Sequence, residues 1–395
     1  MSDHLNLIYQ SHLDNERLTG CWNHSVLHND IKNVSKLIRW SHRPYFFAHR
    51  GPDNMPFSRK IWADSLTIPT VDYDPIFNKT FADITDARAR ELIDQSVTLN
   101  LPLVVNYGGG IDSVVMATAL AKVSTEQERR HNIIISTTKA GYWEAPNFWN
   151  KHLVPMFPNI VNWDQHQARV IAANPGSYLI TNGEPADQLI ITIQNSTGVV
   201  FNEPEWLTVP WKNTAKLKQF LMRFLKDQDL VDWLSTKVSE NIDGMDVPIE
   251  SCYSYLKWIS MNYFFTGATE AEYAQSYYKI YTDLNLWNRT WCRWFTHPDY
   301  QRWAMANISN FDLLMGPNKD TWKWVYKKYI FDFSQDSYYF NYKTKVNSGG
   351  RQGVRGPGAD PKYWVAMVNK SEFLYWEDLD RLQEVIPRYV NHSLY

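Results

Sequence analysis

The sequence has little cysteine, no long apolar run and almost no net charge, and each shortage excludes something. Its three cysteines, Cys21, Cys252 and Cys292, stand far apart. They form no CxxC metal pair and no disulfide framework, so a reducing, cytoplasmic setting is expected. No apolar stretch reaches the ~20 residues of a membrane span, and Met1 to Leu18 lack the apolar core of a signal peptide. No membrane partner is therefore expected. A formal charge of −2 removes the bulk basicity that marks many nucleic-acid binders, though not a local basic groove. His24, His28, His42 and His49 have no matching carboxylate or cysteine spacing. They read as surface or hydrogen-bonded histidines rather than metal ligands.

What is present is ordinary folding composition with unusual aromatic content. Hydrophobic residues make up 44% and charged residues 21%, and 395 residues leave room for two domains. Aromatics reach 15%, with 18 tryptophans.

The chain is organised around Leu101–Ala121, which reads as strand, glycine turn and helix. Leu103, Val104 and Val105 form a short apolar run of the kind found in buried parallel strands. Tyr107 leads into Gly108, Gly109 and Gly110, which strip the turn of side chains. Asp112 and Ser113 fall where the next helix begins, and Val114–Ala121 continues it. A glycine turn feeding a helix N-terminus suits anions, because free N–H groups point outward and the helix dipole is positive there. No Gly-Lys-Ser/Thr follows, and the GxGxxG spacing is absent, so neither a Walker loop nor a dinucleotide fingerprint fits.

Around this stretch the pattern alternates. Ile84–Asn100 predicts an amphipathic helix with Ala87, Leu92, Ile93 and Val97 near one face, capped by Thr85 or Asp86. Strands are predicted at Ile133–Thr138, near Ile160–Trp163 and at Ser177–Thr181, with a helix over Trp149–Met156. Strands alternating with helices predict an α/β fold with a doubly wound parallel sheet. Ligands in such sheets bind outside the carboxyl ends of the strands. The segments at Gly108–Ser113, Thr137–Ala140 and Asn182–Asp187 are then expected to face one crevice, with Thr137 and Thr138 near an adenine. The last segment carries Gly183, Glu184, Pro185, Ala186, Asp187 and Gln188. Two carboxylates beside a phosphate loop suit Mg²⁺, a hard cation that shares its oxygen ligands with ATP phosphates. The plainer reading is an acidic helix N-terminus capped by Asp187.

Residues 1–80 form an N-terminal extension of unclear fold, with a helix somewhere in Leu18–Trp40 and loops broken by prolines. Residues 81–200 form the α/β domain, and 201–395 an aromatic-rich helical lobe. Helices are predicted at Ala215–Leu225, Val231–Val238, Tyr253–Phe265, Thr269–Tyr281 and Glu372–Tyr389. Aromatic faces on such helices are more often core than ligand box.

The loop Gly108-Gly109-Gly110-Ile111-Asp112-Ser113 resembles the SGGxDS pyrophosphate loop (PP-loop, HUP-like fold) of the N-type ATP pyrophosphatases. Gly108 replaces the family's first serine, which keeps the backbone cradle and drops one hydroxyl. The strand followed by Gly183-Glu184-Pro185-Ala186-Asp187-Gln188 is similar to the GEGADE segment of asparagine synthetase-like synthetase domains, with Pro185 and Gln188 as departures. The resemblance spans roughly residues 80 to 350. It implies that Asp112, Glu184 and Asp187 contact Mg²⁺ and pyrophosphate. Arg293–Tyr300 and Lys319–Ile330 fall where the family has its PFLDxxL and KxxLR segments. Tyr342–Gly350 resembles the family's RxKxxF loop, making Lys345 the candidate catalytic lysine and Lys343 the stand-in for its arginine. A solvated basic loop is the plain alternative. Gly349–Gly358, with Arg351 and Arg355, reads as a lid, an anion-binding segment or a flexible connection.

The function this implies is an ATP-dependent, AMP-forming ligase. A substrate carboxylate or amide oxygen is adenylated, pyrophosphate leaves, and an amine displaces AMP to form an amide. The N-terminal eighty residues are too few for the glutaminase domain of asparagine synthetase, and residue 2 is serine rather than cysteine. The amine is then expected from a small molecule, free ammonia, a partner protein or the same molecule. A second reading keeps the fold but adenylates a nucleobase, which makes nucleic acid a less favoured partner. A third is a non-catalytic nucleotide-sensing module, motivated by the replacements at Gly108, Pro185 and Gln188.

Overall fold

The computed structural model describes residues 73–137, 141, 144–162, 176–190, 196–242, 246–261, 286, 289–317 and 322–343. The expectations for the N-terminal extension, Thr138, Thr269–Tyr281, Lys345, Gly349–Gly358 and the closing helix lie outside the described residues.

Four strands are described: β1 (Leu103–Tyr107), β2 (Ile133–Thr137), β3 (Ile160–Asn162) and β4 (Leu179–Thr181). The longer helices are α1 (Phe81–Leu99), α2 (Ile111–Val123), α3 (Glu126–His131), α4 (Thr214–Leu225), α5 (Cys252–Ile259), α6 (Pro298–Ala306), α7 (Trp324–Ser334) and α8 (Ser337–Tyr342). Among the described residues no helix is long and apolar enough to cross a membrane. The described residues fall into two compact units built from non-contiguous segments. The sheet unit takes Lys79–Glu184, Ile280–His297 and the chain from Gly316 onward. The helical unit takes Pro185–Lys279 and Pro298–Met315.

In the sheet unit the strands run parallel in the order β3-β2-β1-β4. Every residue of β1 and β2 is buried, which a parallel sheet covered on both faces requires. The register pairs Tyr107 with Thr137 and Thr137 with Asn162, so these strands end level at one edge. The chain moves outward from β1 through β2 to β3, then returns to place β4 on the other side of β1. The direction of winding therefore reverses between β1 and β4, the topological switch point at which α/β sheets open a crevice. The far edge of β4 is covered by the extended segment at Trp291, where the Cys292 N–H donates to the Ile180 carbonyl at 2.7 Å. Covering that edge satisfies backbone groups that would otherwise template association.

α1 begins earlier than its periodicity suggests. Its cap is Thr80, not Thr85 or Asp86: the Asp83 N–H donates to the Thr80 hydroxyl at 3.2 Å, and the Asp83 carboxylate accepts from the Thr80 N–H at 3.0 Å. Thr85 lies inside the helix, buried, with its hydroxyl donating to the Phe81 carbonyl at 2.6 Å. The extra turn brings Phe81 into the core, where its ring stacks on Tyr326 of α7 at 4.5 Å. Burying Phe81, Ile84, Leu92 and Ile93 along this helix contributes roughly 1.5–3 kcal/mol per side chain. Pro146–Met156 is a single helical run with a π turn at Trp149–Leu153, begun by a proline whose fixed φ suits a first turn.

In the helical unit the aromatic residues are core. α4 buries Leu217, Phe220, Leu221, Phe224 and Leu225 on one stripe, and Asn213 caps it through the Lys216 N–H. Trp206 packs on Phe220 and Trp211 on Tyr255, with ring centroids 5.0 and 5.5 Å apart. The Trp211 indole donates to the Ile249 carbonyl at 2.7 Å, which satisfies its only polar atom. Every residue of α5 is buried.

Candidate functional site

The carboxyl edge of the sheet carries the glycine turn. Its three glycines do different work. Gly109 is buried with φ +70°, and a Cβ built there would lie 2.1 Å from the Gly141 carbonyl oxygen and 2.5 Å from Glu144 Cβ. Only glycine fits that position, on conformation and on space. Gly108 and Gly110 have nothing within 4 Å of a built Cβ. The turn is open to space on that side. α2 follows at once, with Gly110 as its N-cap and no side-chain cap on its first turn. The Ser113 hydroxyl donates back to the Gly110 carbonyl at 2.9 Å, holding the turn closed.

The second wall comes from β4. A Cβ on Gly183 would lie 2.9 Å from Asp112 Cβ and 3.4 Å from the Ser113 nitrogen. Gly183 is thus what allows the post-β4 segment to approach the first turn of α2. Glu184 follows it, half-buried, with its N–H on Asn182 Oδ1 at 3.2 Å. The structure therefore assembles Tyr107, Gly108, Gly109, Gly110, Asp112, Ser113 and Gly183 at the switch point, with Glu184 adjoining. Thr137 closes β2 on the same edge, fully buried, and its Oγ1 is 2.2 Å from a Cβ built on Gly141. Asp187 belongs to the helical unit, in the first turn of the short helix Ala186–Ile190 rather than ahead of it as a cap.

Charge at the site comes largely from residues that spacing does not single out. The Asp112 carboxylate accepts an ion pair from Lys323, whose side chain is almost wholly buried. The Lys323 ammonium also lies 5.4 Å and 5.7 Å from the ring centroids of Trp322 and Tyr326. Lys323 holds a left-handed backbone, φ 58° and ψ 40°, immediately before α7. A non-glycine residue in that region costs roughly 1–3 kcal/mol and persists where surrounding contacts determine it. The only hint in the sequence was a lysine heading an aromatic helix in the Lys319–Ile330 segment.

Lys343 is buried rather than solvated. Its ammonium donates to the Glu144 carbonyl at 2.7 Å and pairs with the same residue's carboxylate. Burial pulls the Lys343 ammonium below the ordinary lysine range, while Glu144 holds it up. Tyr107 and Tyr339 complete the cluster. Both are buried, and among the described residues neither hydroxyl has a hydrogen-bond partner. Burial pushes both phenols upward, and the Glu144 charge adds to the shift in each. Asp112 and Asp336 also act on Tyr339. Glu144 carries no periodic signal, being one acid inside an aromatic stretch.

The open glycine turn and the uncapped α2 suit a phosphate, and the flanking carboxylates suit the cation that accompanies one. A preassembled metal centre is a different matter. Among the described residues no group of three or more His, Cys, Asp or Glu side chains is placed to hold a metal ion. Asp112, expected as a metal ligand, faces Lys323 in this structure. No known family, curated protein or solved structure matches the chain.

Proposed function

We propose that the protein is an ATP-dependent, AMP-forming ligase of the N-type ATP pyrophosphatase kind, similar to the synthetase domain of asparagine synthetase. The observation that supports this best is the open glycine turn at Gly108 and Gly110, set at the switch point of a parallel sheet and flanked by the Asp112–Lys323 pair. A Walker-type phosphotransferase would place a lysine inside the loop sequence. Here Lys323 arrives from a distant segment.

In this reading the β- and γ-phosphates lie on the cradle, where backbone N–H groups and the α2 dipole favour negative charge. A substrate carboxylate oxygen attacks the α-phosphorus as its bond to the bridging oxygen of pyrophosphate breaks. Lys323, parked on Asp112, is the cation placed to take up charge on the departing pyrophosphate. Asp112 and Glu184 are the carboxylates beside the loop that would hold Mg²⁺ carried in on the phosphates. An amine then attacks the acyl carbon, AMP departs with the carbon–oxygen bond pair, and an amide remains. Lys343 supplies the second positive charge at the site.

ATP–pyrophosphate exchange in the presence of Mg²⁺ and fractionated small metabolites tests this. Exchange that depends on one fraction and is lost in Asp112→Asn is the expected result. Release of ADP and phosphate instead of AMP and pyrophosphate, or ATP binding with no exchange from any fraction, would overturn it in favour of another phosphotransfer chemistry or a nucleotide sensor.

A further inference from the structure

Glu144 sits at the meeting point of three features. Its side chain crowds the left-handed Gly109, since a Cβ built on that glycine would lie 2.5 Å from Glu144 Cβ. Its carbonyl and its carboxylate both take the Lys343 ammonium, with the carbonyl contact at 2.7 Å. Its charge also acts on the phenols of Tyr107, the residue before the glycine turn, and Tyr339 of α8. A lysine held twice by one residue, and that residue seated against the phosphate loop, ties the position of the ammonium to the position of the loop.

We infer that Glu144 is a positioning residue for the adenylation step, holding Lys343 charged and aligned beside the glycine loop, from where the ammonium reaches the nucleotide's phosphates. The inference rests on the nucleotide reading of the loop. Its physical basis is a conflict of two effects. A lysine this deeply buried tends to lose its proton, and a neutral amine stabilises no phosphate charge. An adjacent carboxylate restores the ammonium. When the ammonium turns toward a phosphate, the Glu144 carboxylate gives up this contact. The Tyr107 and Tyr339 hydroxyls, without hydrogen-bond partners among the described residues, are the donors in its neighbourhood. A buried hydroxyl with no partner is disfavoured, so both stand ready to accept that role. Among the described residues, Asp112 on α2, itself paired with Lys323, and Asp336 at the head of α8 also act on the cluster. Both are acids, and neither replaces the contact that Glu144 makes with Lys343.

The test uses the full chain and Mg-ATP as the probe. Binding is followed by tryptophan fluorescence across pH 6 to 10, in the wild type and in Glu144→Gln. In parallel, ¹⁵N-lysine NMR reports the titration of the Lys343 ammonium, assigned with Lys343→Arg. The wild type should hold its ATP affinity into the alkaline range. In Glu144→Gln both the affinity profile and the ammonium titration should move to lower pH together, by about one pH unit or more. A Glu144→Gln/Lys343→Met double variant, which leaves no lone buried charge, should fold and bind ATP more weakly with no such alkaline limb. If the ammonium titration moves while the affinity profile stays put, the pair is structural only and the inference fails. An ammonium titration that does not move overturns it directly. A wild type that binds no ATP at any pH overturns the nucleotide reading, and this inference with it, whereas the other failures leave ATP binding intact.

Discussion

Both units bury lysines, and Lys323 and Lys343 in one are held differently from Lys257 in the other. In the sheet unit Lys323 and Lys343 each face a carboxylate, Asp112 and Glu144. In the helical unit Lys257 is fully buried on α5, and its ammonium reaches the Asn307 carbonyl at 3.3 Å. Burial alone pushes Lys257 well below the ordinary lysine range. For Lys343 the same burial is opposed by Glu144. The difference separates a place built to keep positive charge inside protein from a place where a lysine's apolar stem is part of the packing. The first borders the glycine turn, through Asp112 and Glu144.

The sharpest way to break this comparison is Lys343→Met. It removes the cation that the buried Glu144 carboxylate faces in this pair, and removing one partner of a buried pair costs about 3–5 kcal/mol. Adding Glu144→Gln should recover most of that loss, and urea denaturation of the two variants measures it. No recovery would mean that the two side chains do not form the pair described.

The next largest effect is expected at Gly109. Gly109→Ala forces a Cβ onto a left-handed residue and into the Gly141 carbonyl, for a loss of about 2–4 kcal/mol. Gly108→Ser, one residue away, meets nothing within 4 Å and should change stability by no more than about 0.5 kcal/mol. That serine also restores the hydroxyl present in the resembling loops, and ATP affinity measured on the same protein should rise. A destabilised Gly108→Ser would remove the claim that space over the loop is open.

Lys257→Met should act in the opposite direction from Lys343→Met. Each pH unit by which the folded ammonium titrates below its unfolded value costs about 1.4 kcal/mol at neutral pH. The variant should therefore be more stable than wild type at pH 7, by about 1 kcal/mol or more. The sign with pH follows from proton counting. Between the lowered folded value and 10.5 the unfolded chain binds the extra proton, so wild-type stability rises with pH through that window. The advantage of Lys257→Met should accordingly shrink as pH is raised from 7 toward 9.5, read as the difference between two melting curves. An advantage that stays constant would show that Lys257 remains charged in the folded protein.

Much of the sheet was legible because its signals are local. β1 is an apolar run that ends in three glycines, and β2 and β4 are short β-branched stretches, each within two residues of its expected bounds. The start of α1 was misplaced because Thr85 and Asp86 look like caps, while the true capping box at Thr80 and Asp83 encloses a phenylalanine whose value lies in a ring 245 residues away. At the site the loop glycines and Asp112 were legible. Their partners were not. Lys323 meets Asp112 across 211 residues and Glu144 meets Lys343 across 199, and no pattern of spacing encodes an ion pair of that separation.

By itself the sequence determined the alternation of strands and helices, the anion-suited turn at Gly108–Ser113 and the core role of the aromatic helices. Those follow from residue chemistry acting over a few neighbours: β-branching, missing side chains and apolar periodicity. Only the tertiary structure decided that winding reverses between β1 and β4, that Gly109 alone of the three loop glycines is irreplaceable, and which buried lysines keep a carboxylate. Those depend on which distant segments share a volume, and it is there that low dielectric turns a single contact between charges into the difference between a site and a core.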